Sequence, residues 1–209
     1  MFIPFTKLAR GWQVCIEIIF PVRDDAARIR SCNSLLPYYS VRQTAGIVSL
    51  LPFQESSVRA AIHELKFHKN LHATRLLASA LEHFLKDRSH KYDYMIPIPL
   101  SAKRRRARGY NQVELLISAA TLPPDLQMLT TVLQKHRDNA PQTGLCRKDR
   151  LKNITEAYSV NDRQNSSEKL FGKRILLVDD VSTTGATMHA AKAALSPHAS
   201  SVTCLVLAH

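Results

Sequence analysis

"RILLVDDVSTTGATMHAAKAAL", Arg174 to Leu195, decides the fold. The apolar run Ile175–Val178 has the character of a buried strand and ends in two adjacent acids, Asp179 and Asp180. A loop of small, hydroxylated residues follows from Ser182 to Thr187, with Gly185 inside it, and then an alanine-rich helical pattern. In open parallel sheets, ligands bind beyond the carboxyl ends of the strands, where this pair and this loop fall. A loop that opens a helix presents unpaired backbone N–H groups, which is an anion site. Gly185 and its small neighbours let those amides approach a phosphate, and Thr183, Thr184 and Thr187 add hydroxyl donors. The acids repel a phosphate. They suit the hydroxyls of a sugar diol, or a magnesium ion reached through its waters. A sugar phosphate fits both halves of the stretch; the plain alternative is a buried strand with a solvated acid pair and an ordinary helix cap. A Walker A loop is excluded, because "FGKR" at 171–174 lacks its spacing.

Outward from that stretch, 209 residues with 45% apolar content predict one α/β domain with a small N-terminal appendage. "SSVRAAIHELKF" and "LHATRLLASALEHFL" have helical spacing and precede a strand, "YDYMIPIPL" at 92–100. A helix on "NQVELLISAA" stops at Pro123–Pro124, and "LQMLTTVLQ" reads as a further strand. A long polar segment over 136–153 precedes "EAYSV" and has the length of a lid. A helix from about Ala186 to Ser196 and the strand "SVTCLVLA" close the chain. Strands alternating with helices predict a mostly parallel sheet covered on both faces. Residues 1–52, broken by Pro4, Pro21, Pro37 and Pro52, read as irregular.

The net charge of +12 favours polyanionic partners. Five of the six residues from Lys103 to Arg108 are basic, and no acid lies between Asp93 and Glu114. That run can clamp a pyrophosphate or track a nucleic-acid backbone, with Tyr110 and Tyr158 as sparse stacking partners. Cysteines at 15, 32, 146 and 204 form no disulfide pattern, so a reducing, cytoplasmic setting is expected. The apolar run "VCIEIIFPV" contains Glu17 and is too short to span a bilayer, so no membrane insertion is expected.

"LLVDDVSTTGAT" (176–187) resembles the phosphoribosyl pyrophosphate signature of type I phosphoribosyltransferases. Within that superfamily, three further segments are similar to the competence-associated ComF family: "IPIPLSAKRRRARGYNQVELL" (96–116), "APQTGLCRKDRLKNITEAY" (140–158) and "IHELKFHKNLHATRLLA" (62–78). The resemblance implies a type I phosphoribosyltransferase fold over 55–209, behind a degenerate extension over 1–54. It implies that Asp179 and Asp180 hold the ribose hydroxyls and form the catalytic pair, and that Ser182, Thr183, Thr184, Gly185, Ala186 and Thr187 take the 5-phosphate. The turn of Leu100, Ser101, Ala102, Lys103 and Arg104 would receive pyrophosphate, around a non-proline cis peptide. A flexible hood would carry Gln142, Thr143, Arg147, Arg150 and Asn153. Magnesium is the implied cofactor, held by the ligand and by waters on Asp179 and Asp180 rather than directly.

Three functions follow as expectations. The chain binds phosphoribosyl pyrophosphate, or a related nucleotide, while acting with competence proteins in DNA uptake. Alternatively it is an active phosphoribosyltransferase on an unidentified base or amine, or it binds single-stranded DNA through Arg104, Arg105, Arg106 and Arg108. Members of the family carry an N-terminal zinc module of C-x-x-C pairs, and this sequence has no such pair. No zinc is therefore expected, and His68 and His72 read as surface histidines without an acidic partner.

Overall fold

The structure, a computed structural model, describes residues 22–136, 157–161 and 165–209. In chain order its elements begin with α1 (Val22–Ser31), β1 (Arg42–Thr44), β2 (Ile47–Leu51), α2 (Ser56–His68) and α3 (Leu71–Leu85). Then come β3 (Tyr94–Pro97), α4 (Ala102–Arg108), α5 (Gln112–Ala119), β4 (Gln127–Met128), β5 (Leu133–Lys135) and β6 (Tyr158–Val160). The last are α6 (Ser166–Leu170), β7 (Arg174–Val181), α7 (Ala186–Leu195) and β8 (Ser201–Ala208).

The quoted stretch forms the centre of a six-stranded sheet ordered β1-β2-β8-β7-β3-β4. Every pairing in it is parallel except β1 with β2. β7 is apolar on both sides because both faces are covered. Leu176 and Val178 pack on one face with Leu65 of α2, Leu77 and Leu81 of α3, and Leu116 of α5. Ile175 and Leu177 pack on the other with Met188, Ala191 and Leu195 of α7 and with Leu133 and Val160 of the β5–β6 pair. The mostly parallel, helix-flanked sheet expected from the sequence is present.

Local chemistry explains where the helices begin and end. Asn70 caps α3, its side chain accepting from the His72 and Ala73 amides. Tyr110, which follows α4, donates its hydroxyl to the Leu65 carbonyl and accepts from the Lys69 amide, so it closes the C-terminal end of α2.

Three expectations are corrected. Residues 42–51 form a hairpin, not irregular chain, and β2 pairs with β8 from Ile47↔Cys204 to Leu51↔Ala208. The main sheet therefore extends N-terminal of residue 55. The segment also contains α1, whose Ile29 is fully buried in the first core. "LQMLTTVLQ" is two strands: β4 joins the main sheet, while β5 pairs antiparallel with β6. The cis peptide after Leu100 is absent, as no cis bond occurs among the described residues.

If β2 belongs to the cooperative unit, Leu50→Ala removes a fully buried side chain from the first core. It should destabilise the protein by about 2–5 kcal/mol, read as a shift in urea midpoint. A change below about 0.5 kcal/mol would place β2 outside the folding unit.

Candidate functional site

Side chains on a strand alternate between faces, so the adjacent acids at the end of β7 part company. Asp180 follows Leu176 and Val178 to the first face. There its Oδ1 lies 3.2 Å from Lys66 Nζ of α2, and its Oδ2 accepts from Gln112 Nε2 of α5 at 3.0 Å. Only 3% of Asp180 is exposed. Gln112 passes the contact on, its Oε1 accepting from Arg108 Nη1. Arg108 in turn lies over the Phe67 ring, 5.5 Å from its centroid. Lys66, Asp180, Gln112 and Arg108 thus form one chain of charge-assisted contacts linking α2, β7, α5 and α4.

Asp179 follows Ile175 and Leu177 to the second face. It borders a cavity of about 70 Å³ formed with Val181, the loop Ser182–Gly185 and the first turn of α7. Its Oδ1 accepts from the Asp180 amide at 2.9 Å. Desolvation, then the neighbouring Asp180 charge, pushes the Asp179 carboxyl up to about 7. Of the two acids expected at the ribose, Asp180 is tied into the protein and Asp179 lines the cavity.

The loop is built for backbone donation. Ser182 is 8% exposed and its Oγ accepts from the Gly185 amide at 3.0 Å, which bends the loop back on itself. Gly185 stands at φ +76° as the N-cap of α7 and offers no side-chain cap. Thr183, Thr184, Ala186 and Thr187 line the same cavity. A β-carbon on Gly185 would meet Ile47 Cδ1 at 2.8 Å and His189 Nε2 at 3.1 Å. Glycine is required there by conformation and by space.

The turn expected to receive pyrophosphate is a helix start. Ser101, 4% exposed, accepts from the Arg104 amide and caps α4, with Leu100 half-buried before it. Ala102, Lys103 and Arg104 are exposed. The basic run does not act as a uniform patch. Arg105 pairs with Glu114 at 3.1 Å, and Arg108 turns inward, while Arg106 is exposed. Gln142, Thr143, Arg147, Arg150 and Asn153 lie outside the described residues.

Sequence reasoning missed two contributors. Lys66 is a single lysine inside a helical pattern, and nothing local marks its reach to Asp180. The hairpin turn of Thr44 and Ile47, with Ser49 and His209, walls a second cavity of about 110 Å³ on the far side of the loop. His209 Nδ1 lies 2.7 Å from the Ser182 carbonyl. Its position at the end of a buried strand was the only available signal.

A parallel sheet with an acid pair and a glycine-opened helix at its carboxyl edge defines a phosphoribosyltransferase-type domain. Residues 113–209 match the phosphoribosyl transferase domain model. Competence protein F of Haemophilus influenzae is 33% identical over 133 residues, 61% of this chain and 57% of that protein. Competence protein ComFC of Bacillus subtilis is 31% identical over 99 residues, 47% of this chain and 36% of that one. The DNA utilization protein YhgH of Escherichia coli O157:H7 is 28% identical over 135 residues, 65% of this chain and 52% of that protein. The chain thus carries a phosphoribosyl transferase domain over 113–209 and is similar to competence and DNA utilization proteins. It spans about half the length of the curated relatives it matches.

The raised Asp179 carboxyl has a consequence for stability. Its folded value near 7 exceeds the ordinary 3.8, so the folded state holds the proton more tightly than the unfolded chain does. The stabilisation is complete below about pH 4 and is lost as pH rises through 7. Asp179→Asn keeps an acceptor for the Asp180 amide and removes the titration. Relative to wild type, the variant should gain stability steadily as pH rises from 4 to 8 in denaturant melts. A pH-independent difference would show that Asp179 titrates normally.

Proposed function

We propose that this chain binds phosphoribosyl pyrophosphate with magnesium and acts in DNA uptake. The observation that carries the ligand reading is the 70 Å³ cavity, where the uncapped start of α7, the Gly185 turn and Asp179 meet. The 5-phosphate accepts from loop and first-turn amides, where the positive end of the helix favours an anion. Asp179 accepts from the ribose hydroxyls. Asp180 holds the strand end in place through Lys66 and Gln112 rather than touching the sugar. The pyrophosphate lies toward Ser101 and the exposed Lys103 and Arg104.

The donor set fits magnesium, which keeps several waters and takes few protein carboxylates beside substrate phosphates. Asp179 is the carboxylate on that side, and when bound the ion neutralises phosphate charge. The DNA-uptake role draws on the names of the competence and DNA utilization relatives. Direct binding of single-stranded DNA draws less support from the geometry. Arg105 is paired with Glu114, Arg108 is turned inward, and the Tyr110 hydroxyl is committed to the end of α2.

The test is a calorimetric titration of phosphoribosyl pyrophosphate with and without magnesium, on wild type, Asp179→Asn and Asp180→Asn. Asp179→Asn should lose about 1.5–3 kcal/mol of binding, the worth of hydrogen bonds to a charged acceptor. Asp180→Asn should mainly lose stability, because Lys66 then faces a neutral amide. Wild-type protein that does not bind the compound overturns the ligand reading, and equal affinity in wild type and Asp179→Asn overturns the role given to Asp179.

A second measurement addresses the loop. Gly185→Ala should destabilise the fold by about 1–3 kcal/mol and weaken binding at least about tenfold, since its methyl group strikes Ile47. A variant as stable and as tightly binding as wild type would remove the loop from the ligand site.

A further inference from the structure

α2 carries a second group of polar side chains on the first face. The sequence reading left His68 without an acidic partner; the structure supplies one. His63, Glu64 and His68 each bring a ligand atom to within 4.8 Å of the others. His63 is 4% exposed and Glu64 3%, whereas the His68 side chain is 42% exposed and opens the group to solvent. His72, one turn on from His68, is elsewhere, with Nε2 2.9 Å from the Cys32 carbonyl.

The two oxygens of Glu64 have different surroundings. Oε2 accepts from Asn70 Nδ2 at 2.8 Å, while Oε1 faces His68 Nε2 at 4.0 Å. Across the helix interface, Asp25 of α1 is 8% exposed and sets Oδ2 3.3 Å from His63 Nδ1. A carboxylate on one ring nitrogen is the arrangement that orients a metal-bound imidazole through the other.

Asp25 and Glu64 bring two buried carboxylates to the group. Of the cations beside them, Lys66 is paired with Asp180. Buried carboxylates demand a partner, and a divalent ion supplies one. Neutral imidazole is the form that ligates a metal. Two imidazoles and a carboxylate select a borderline ion of the zinc class over magnesium, which prefers oxygen alone.

We propose that His63, Glu64 and His68 bind a divalent zinc-class ion, with Asp25 orienting the His63 ring. The ion would brace the last turn of α2, which also carries Lys66. It would do so from ligands that are not cysteines and that stand apart from the phosphate loop.

The experiment uses the full chain, stripped with chelator, desalted and titrated calorimetrically with zinc sulfate. Wild type should take up one equivalent and melt at a higher temperature when loaded. His68→Ala and Glu64→Gln should each weaken that binding at least about tenfold, and zinc should no longer raise the melting temperature of His68→Ala. His68 is exposed, so its removal should leave the fold intact, as circular dichroism would verify. No uptake near one equivalent overturns the site. Wild-type affinity in both variants also overturns it, since the ion would then sit on others of the chain's nine histidines. Neither result bears on phosphoribosyl pyrophosphate, whose titration is read separately.

Discussion

A carboxylate buried at the end of a central strand must be neutralised or paired, and Asp180 is paired on both oxygens. That requirement organises the first face of the sheet. Lys66 must arrive from α2 and Gln112 from α5, so those helices are fixed relative to the last residues of β7. Breaking one partner of such a group leaves a buried charge and costs more than the intact pair contributes. The rest of the motif around Gln112 supports the same joint. Gly109 closes α4 at φ +80°, Tyr110 closes α2, and Asn111 donates to the Ile98 carbonyl at the end of β3. Residues that resemble a ligand-binding sequence therefore brace the strand ends near the cavity beside Asp179.

The second face does the opposite work. Asp179 is left beside a cavity, held by one backbone amide, and its carboxyl is raised to about 7. Ionisation at that position costs stability. The helix start opposite it is likewise left without a side-chain cap, which a purely structural helix would gain from having.

The strand, loop and helix over 174–195 were legible because their signals are local: an apolar run, a glycine at a turn, an alanine-rich period. Two of the corrections to the fold share a physical cause. β2 lies among prolines and gains its identity by pairing with β8, far away in sequence, with β1 folding back on it, and no local window records the β8 partner. "LQMLTTVLQ" looks continuous, but its first half pairs with β3 and its second with β6, so two different neighbours divide it. Lys66 was hidden for the same reason as His63. Each is a polar residue within an amphipathic helix whose partner comes from another element.

Adjacency of the two aspartates is what allows one strand to carry both tasks. At a spacing of two, both carboxylates would enter the same cavity, where like charges raise each other's proton affinity and repel a phosphate. At a spacing of one, the pleat sends Asp180 to Lys66 and Gln112 and Asp179 to the cavity. Their charges still interact through the short backbone between them, and Asp180 is the second cause, after burial, of the raised Asp179 carboxyl. The anchor therefore tunes the acid beside it: the Asp180 charge raises the Asp179 carboxyl and the Lys66 ammonium lowers it, while each side chain keeps its own face of the sheet.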